Sequence, residues 1–162
     1  MSTKIAITGK SGSGKTTITK AFLNVIKEKF PEKSILLFDN DLAGELGHSF
    51  DLDIRNTIYG IRSGKHEYKT GIPEHMTKQE FIDWAMEDII VSVDDNVDII
   101  VSWLPGVKDC RCPITEQISY AVKRVLKRYD FIILLLLNIQ NQIDFPFLYQ
   151  LLFLAIYCVL LI

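Results

Sequence analysis

A short apolar run, Ile5-Ala6-Ile7, leads directly into Gly9-Lys10-Ser11-Gly12-Ser13-Gly14-Lys15-Thr16-Thr17, and a helical pattern follows at Ile18, Ala21, Phe22, Val25 and Ile26. Strand, glycine-rich loop and helix in that order are the setting in which G-x-x-x-x-G-K-[ST] binds phosphate. The glycines let the backbone curl until its N–H groups point inward, and the helix start adds partial positive charge. Lys15 is then the cation for the β- and γ-phosphates, and Thr16 offers a hydroxyl to Mg²⁺. A glycine turn that happens to carry a lysine would explain the composition, but not the agreement of spacing, flanks and position. A nucleoside triphosphate is therefore the expected ligand, on Gly9, Lys10, Gly12, Ser13, Gly14, Lys15, Thr16 and Thr17. The fold expected around such a loop is α/β, a three-layer P-loop arrangement of a parallel sheet flanked by helices.

The next segments agree. Strand one spans 4–8, and its helix runs to about Lys29, with Pro31 at the exit. Ser34-Ile35-Leu36-Leu37-Phe38-Asp39 reads as a second strand buried on both faces. Strand, helix, strand at this spacing is a right-handed βαβ unit, and ligands in such sheets sit beyond the carboxyl ends of the strands. Residues 42–76, with six scattered glycine and proline positions from Gly44 to Pro73, suggest short helices and loops. Thr77-Lys78-Gln79-Glu80 has capping-box form, with Phe81, Ile82, Trp84, Ala85 and Ile89 expected on one helical face. A third strand is expected over 97–104, stopped by Pro105-Gly106. After Cys110-Arg111-Cys112 and Pro113, a helix carries Ile114, Ile118, Ala121, Val122, Val125 and Leu126 as its apolar stripe. A fourth strand begins at Asp130 and runs to about Leu136.

Asp39 and Asp41 fall at the carboxyl edge of strand two, on the phosphate-loop side. A carboxylate there can hold a metal-bound water or orient an attacking water, and Asp41 is the better placed for the latter. Either could instead cap a short helix. Lys10 is a solvated loop lysine, or it reaches a phosphate of its own or a facing subunit. Cys110-x-Cys112 opens a helix, where the dipole favours thiolate, but two cysteines make only half of a usual structural zinc site. A symmetric dimer would supply the other half; a redox pair or two ordinary loop thiols are the alternatives. His48, His66 and His75 show no ligand spacing, and Cys158 reads as a packing residue.

At 162 residues there is room for one domain, and a net charge of −2 gives no positive field that would point to nucleic acid. The strand and phosphate loop begin at once, with no secretory leader ahead of them, so a cytoplasmic protein is expected. Charge is uneven, however. All 18 lysines and arginines precede residue 134, and beyond it Asp144 is the single carboxylate. Residues 1–133 thus read as a P-loop nucleotide-binding domain, and 134–162 as an apolar tail. The charge-free run 145–162 suits a marginal membrane span or tail anchor, without flanking basic residues to orient it. The abrupt composition change inside a strand favours, over that, a changed reading frame or a truncated copy.

Taken together, Lys10-Ser11-Gly12-Ser13-Gly14-Lys15-Thr16-Thr17 resembles the deviant phosphate loop of the MinD/ParA/nitrogenase-iron-protein class, marked by an extra lysine where Lys10 stands. Asp39-Asn40-Asp41, Leu46-Gly47 and the Cys-x-Cys after a mid-chain strand resemble the CooC type within it, over about residues 3–133. The resemblance implies an ATP-driven homodimer, with ATP and Mg²⁺ as cofactors, that inserts nickel into a client metalloenzyme, carbon monoxide dehydrogenase. It makes Lys10 the signature lysine and gives Lys15 and Asp41 catalytic roles. It puts Thr16 and Asp39 beside Mg²⁺, and it makes Cys110 and Cys112 ligands of a Zn²⁺ or Ni²⁺ shared between subunits. Two departures stand out: Ser11 replaces a usual glycine, and strand four runs into Leu134-Leu135-Leu136-Leu137-Asn138 instead of an acid and a switch glycine. The loop is also similar to nucleoside-kinase loops, which makes a small-molecule kinase one alternative. A MinD-like switch attached to a membrane through 145–162 is another.

Overall fold

The computed structural model describes residues 2–41, 44–54, 57–63, 72–102, 116–137 and 158–161. Six strands form one sheet: β1 (Thr3–Gly9), β2 (Ile35–Asn40), β3 (Val91–Asp94), β4 (Val97–Val101), β5 (Phe131–Leu137) and β6 (Cys158–Leu161), in the order β3-β4-β2-β5-β1-β6. The helices are α1 (Lys15–Lys29), α2 (Glu45–His48), α3 (Ile58–Ser63), α4 (Lys78–Asp88) and α5 (Glu116–Leu126).

β5, and β2 as far as Phe38, are apolar without interruption because both faces are covered, and their side chains divide by parity. Leu36 and Phe38 of β2 and Ile132, Leu134 and Leu136 of β5 join the core beneath α3, α4 and α5. Ile35 and Leu37, with Ile133 and Leu135, join the opposite core with Leu23 and Ile26 of α1. The result is the expected three-layer α/β arrangement. Among the described residues all pairings are parallel except one: β3 runs antiparallel to β4 at the sheet edge. The sequence reading passed over β3, a four-residue strand that alternates half-buried and exposed positions and turns at once through Asp95 and Asn96. A strand so short gives periodicity little to detect.

Two helical stripes differ from expectation. In α1 the side chains facing the sheet are Thr19, Leu23 and Ile26, with Ile18 and Phe22 partly covered; Ala21 and Val25 point to solvent. In α4 the buried face is Phe81, Ile82, Ala85 and Met86, and Trp84 is 48% exposed. At about 100° per residue Trp84 stands well off the face defined by Phe81, Ala85 and Ile89, and Met86 takes its place. The capping box forms as expected: the Thr77 N–H donates to Glu80 Oε2 at 2.7 Å, and the Glu80 N–H donates to Thr77 Oγ1 at 3.3 Å. In α5, Ile118, Ala121, Val122, Val125 and Leu126 are buried, while Ile114 lies outside the described residues.

The third expected strand ends sooner, as β4 at Val101, and positions 103–104 lie outside the described residues. Leu134, Leu135 and Leu136 are fully part of the central sheet. Cys158–Leu161 lies parallel to β1, and the rest of 138–162 is outside the described residues. No helix among the described residues is long and apolar enough to cross a membrane.

Candidate functional site

β1 stops at Gly9, and the chain turns through residues 10–14 before α1 begins at Lys15. Gly12 and Gly14 have φ of 76° and 86°, the left-handed region that a side chain rarely adopts. No atom lies within 4 Å of where a Cβ would stand at either position, so backbone conformation, not crowding, requires glycine there. The Ser13 N–H donates to the Lys10 carbonyl at 3.2 Å, closing the turn. Ser13 Oγ is buried and has no hydrogen-bond partner among the described residues. A buried hydroxyl without a partner, on a loop that ends at a helix start, fits an oxygen-rich anion.

Lys15 opens α1 yet is only 5% exposed. Its Nζ donates to the Lys10 carbonyl at 3.0 Å and pairs with Asp41 Oδ2 at 3.1 Å. Asp41 itself is 6% exposed. Sequence reasoning set Asp41 on the same sheet edge as the loop; the structure brings the two side chains into contact. Burying two charges is costly unless they are well paired, and removing one partner strands the other. Thr16 is half-buried in the first turn of α1, and Lys10 and Thr17 are exposed.

Asp39 is fully buried at the end of β2 and acts within its own segment. Its Oδ1 accepts the Asp41 N–H at 3.0 Å, and its Oδ2 accepts the Leu46 N–H at 3.1 Å. Burial pushes the Asp39 carboxyl up to about 6, opposed by N–H donation from Asp41 and Leu46, while the neighbouring Asp41 charge adds to the rise. The Ser102 N–H meets the Asp39 carbonyl at 2.8 Å, which ties the end of β2 to the residue after β4. Asp39 therefore shapes the turn that presents Asp41. α2 follows, packed closely on β4: a Cβ at Gly47 would meet Ile54 and Val101 at 3.1 Å.

Lys20, a residue the sequence reading did not single out, reaches from α1 to the Ser49 carbonyl just past α2. Nothing in the local pattern flags it, because its partner is 29 positions away. Cys110, Cys112 and His66 lie outside the described residues, and His48 and His75 are exposed. No group of three or more His, Cys, Asp or Glu side chains able to hold a metal occurs among the described residues.

No protein-family model and no curated protein matches this sequence. Solved structures do. The ParA family ATPase from Chlorobium tepidum TLS superposes with a TM-score of 0.55 at 16% identity, over 84% of this chain and 51% of that one. The kinase domain of the Escherichia coli tyrosine kinase ETK gives 0.55 at 17% identity, over 88% and 49%. A putative plasmid partition protein from Borrelia burgdorferi B31, bound to AMPPNP, gives 0.53 at 16% identity, over 99% and 75%. This chain spans about half the length of the first two. These likenesses establish the fold, that of P-loop ATPases of the ParA type.

Proposed function

We propose that the chain binds and hydrolyses ATP as a ParA/MinD-type homodimer, and that this activity serves the maturation of a metal centre, nickel insertion into a client metalloenzyme such as carbon monoxide dehydrogenase. One observation carries the nucleotide part: the buried Lys15 ammonium lies between the Lys10 carbonyl and the Asp41 carboxylate, at the mouth of a glycine loop. A triphosphate would take over the ammonium from Asp41. The Asp41 carboxylate then stands beside the γ-phosphate, where it orients the attacking water. The loop N–H groups and the Ser13 hydroxyl hold the β-phosphate, and Thr16, together with Asp39, would hold Mg²⁺. That ion, when bound, offsets charge on the β- and γ-oxygens. Lys10, exposed on the loop, offers a second cation to a phosphate of its own or of a facing subunit.

The metal part rests on the sequence motif. Cys110 and Cys112 provide two thiolates per chain, and a two-fold axis would make four, the number a closed zinc or nickel site takes.

Calorimetric titration with AMPPNP and Mg²⁺ tests the nucleotide part. Lys15→Ala should weaken binding by about 100-fold or more, as expected for loss of a buried charge-assisted contact. Asp41→Asn should keep binding and lower ATP turnover by about 100-fold, the usual scale for a positioned acid–base group. Binding by Lys15→Ala within about tenfold of the unsubstituted chain would remove the reading.

A further inference from the structure

The short helix α2 follows the turn that carries Asp41, and it is attached at both ends. At its start the Leu46 N–H donates to Asp39, and the Gly44 N–H donates to the Asp41 carbonyl at 3.1 Å. At its far end the attachment comes from another element. Lys20 of α1 sends its Nζ to the Ser49 carbonyl, and the same ammonium lies 4.6 Å from the centre of the Phe50 ring. A cation suits this place: it meets the negative end of a helix, and an aromatic face adds attraction. Phe50, like Leu52, Ile54, Ile18 and Phe22, packs against the core cluster that holds Leu46 on the α1 side of the sheet, so the ammonium grips a part of the segment that is anchored in the core.

α1 begins at Lys15, so its placement is that of the phosphate loop. By joining α1 to the far end of α2, Lys20 makes the loop and the Asp41 segment one body. We infer that Lys20 is a positioning residue for Asp41, setting where that carboxylate stands relative to Lys15 and a bound triphosphate. The inference rests on the phosphate-loop reading above, but its role is separable from binding, because Lys15 holds the phosphates. Small displacements of a reacting group are costly, which is why such a strut matters.

Lys20→Met keeps the aliphatic stem over Phe50 and removes the charge; Lys20→Arg restores a cation. Three readouts on the full chain separate positioning from plain stability. AMPPNP affinity of Lys20→Met should stay within about twofold of the unsubstituted chain, while kcat for ATP falls about tenfold at unchanged KM. Amide hydrogen exchange should speed up about tenfold across 44–51 and stay unchanged in α1. Lys20→Arg should recover most of both losses.

Unchanged exchange at 44–51 would overturn the assignment. So would faster exchange with unchanged kcat, since the segment would then loosen without displacing Asp41, and so would an equal acceleration along the whole chain. If the chain binds AMPPNP without turning over ATP, exchange alone decides: AMPPNP should slow it at 44–51 in the unsubstituted chain and not in Lys20→Met. Absence of AMPPNP binding to the unsubstituted chain would overturn the phosphate-loop reading itself. Normal binding with an unaltered 44–51 segment would remove Lys20 alone.

Discussion

Asp39 is pulled in two directions. Burial favours its neutral form and raises its pKa to about 6, while N–H groups of Asp41, Leu46 and Gly47 favour the carboxylate. Its folded value thus lies above the ordinary 3.8, so the folded chain holds this proton more tightly than the unfolded one. The resulting stabilisation is complete below about pH 4 and is lost as pH rises through about 6. Denaturant titrations of the unsubstituted chain and Asp39→Asn should therefore converge or cross with rising pH. Relative to the variant, the unsubstituted chain should lose up to about 3 kcal/mol between pH 4 and 7. A difference independent of pH would show that Asp39 titrates as an ordinary carboxyl. Above pH 6 the ionised carboxylate is the form that best accepts these backbone N–H groups, so part of the fold's stability is given up where the site is best ordered.

Among the elements, α4 begins with the most complete local signal in the chain. Thr77 and Glu80 exchange hydrogen bonds, and the Thr77 N–H and hydroxyl hold the Glu80 carboxyl below the usual carboxylate range. Thr77→Ala should lower stability by about 1 kcal/mol, read as a shifted denaturation midpoint, and return the Glu80 pKa toward its ordinary value. That start was legible because every atom involved lies within four residues. The helix faces were less so. Apolar periodicity in α1 suggested a stripe through Ala21 and Val25, but Val25 is 47% exposed, and Thr19, which donates from Oγ1 to the Lys15 carbonyl at 2.9 Å, lies against the sheet. Where apolar residues are dense, several faces of a helix look possible, and only the sheet beneath selects one. The phosphate loop was legible for the opposite reason, since its geometry demands particular residues at fixed spacing. Lys20 was not, because a lysine's worth there depends on a carbonyl brought near by the tertiary fold.

At the scale of the whole molecule, the proposed metal site is the part that needs a second chain. In the full chain loaded with Zn²⁺ or Ni²⁺, Cys110→Ser combined with Cys112→Ser should abolish bound metal and shift sedimentation toward monomer, since both thiolates on each side of the axis disappear. Metal retained at full stoichiometry would rule that site out. The order of strands was likewise hidden from local reading. The places of β1, β2, β4 and β5 followed from apolar runs, yet nothing in those runs says that β5 inserts between β1 and β2. Leu135 is the pivot of that insertion, paired with Ile7 of β1 on one side and Asp39 of β2 on the other.

This has a consequence for synthesis. Lys15 and Asp41 are both made within the first 41 residues, but the strand that spaces their supporting strands is made only at 131–137. On a ribosome, the first βαβ unit must wait with an open slot between its two strands, exposing the strand edges that β5 later pairs with. The nucleotide site is therefore assembled late despite being encoded early. An interruption of translation before residue 131 would release a chain that carries every phosphate-loop residue with no frame to hold them against Asp41.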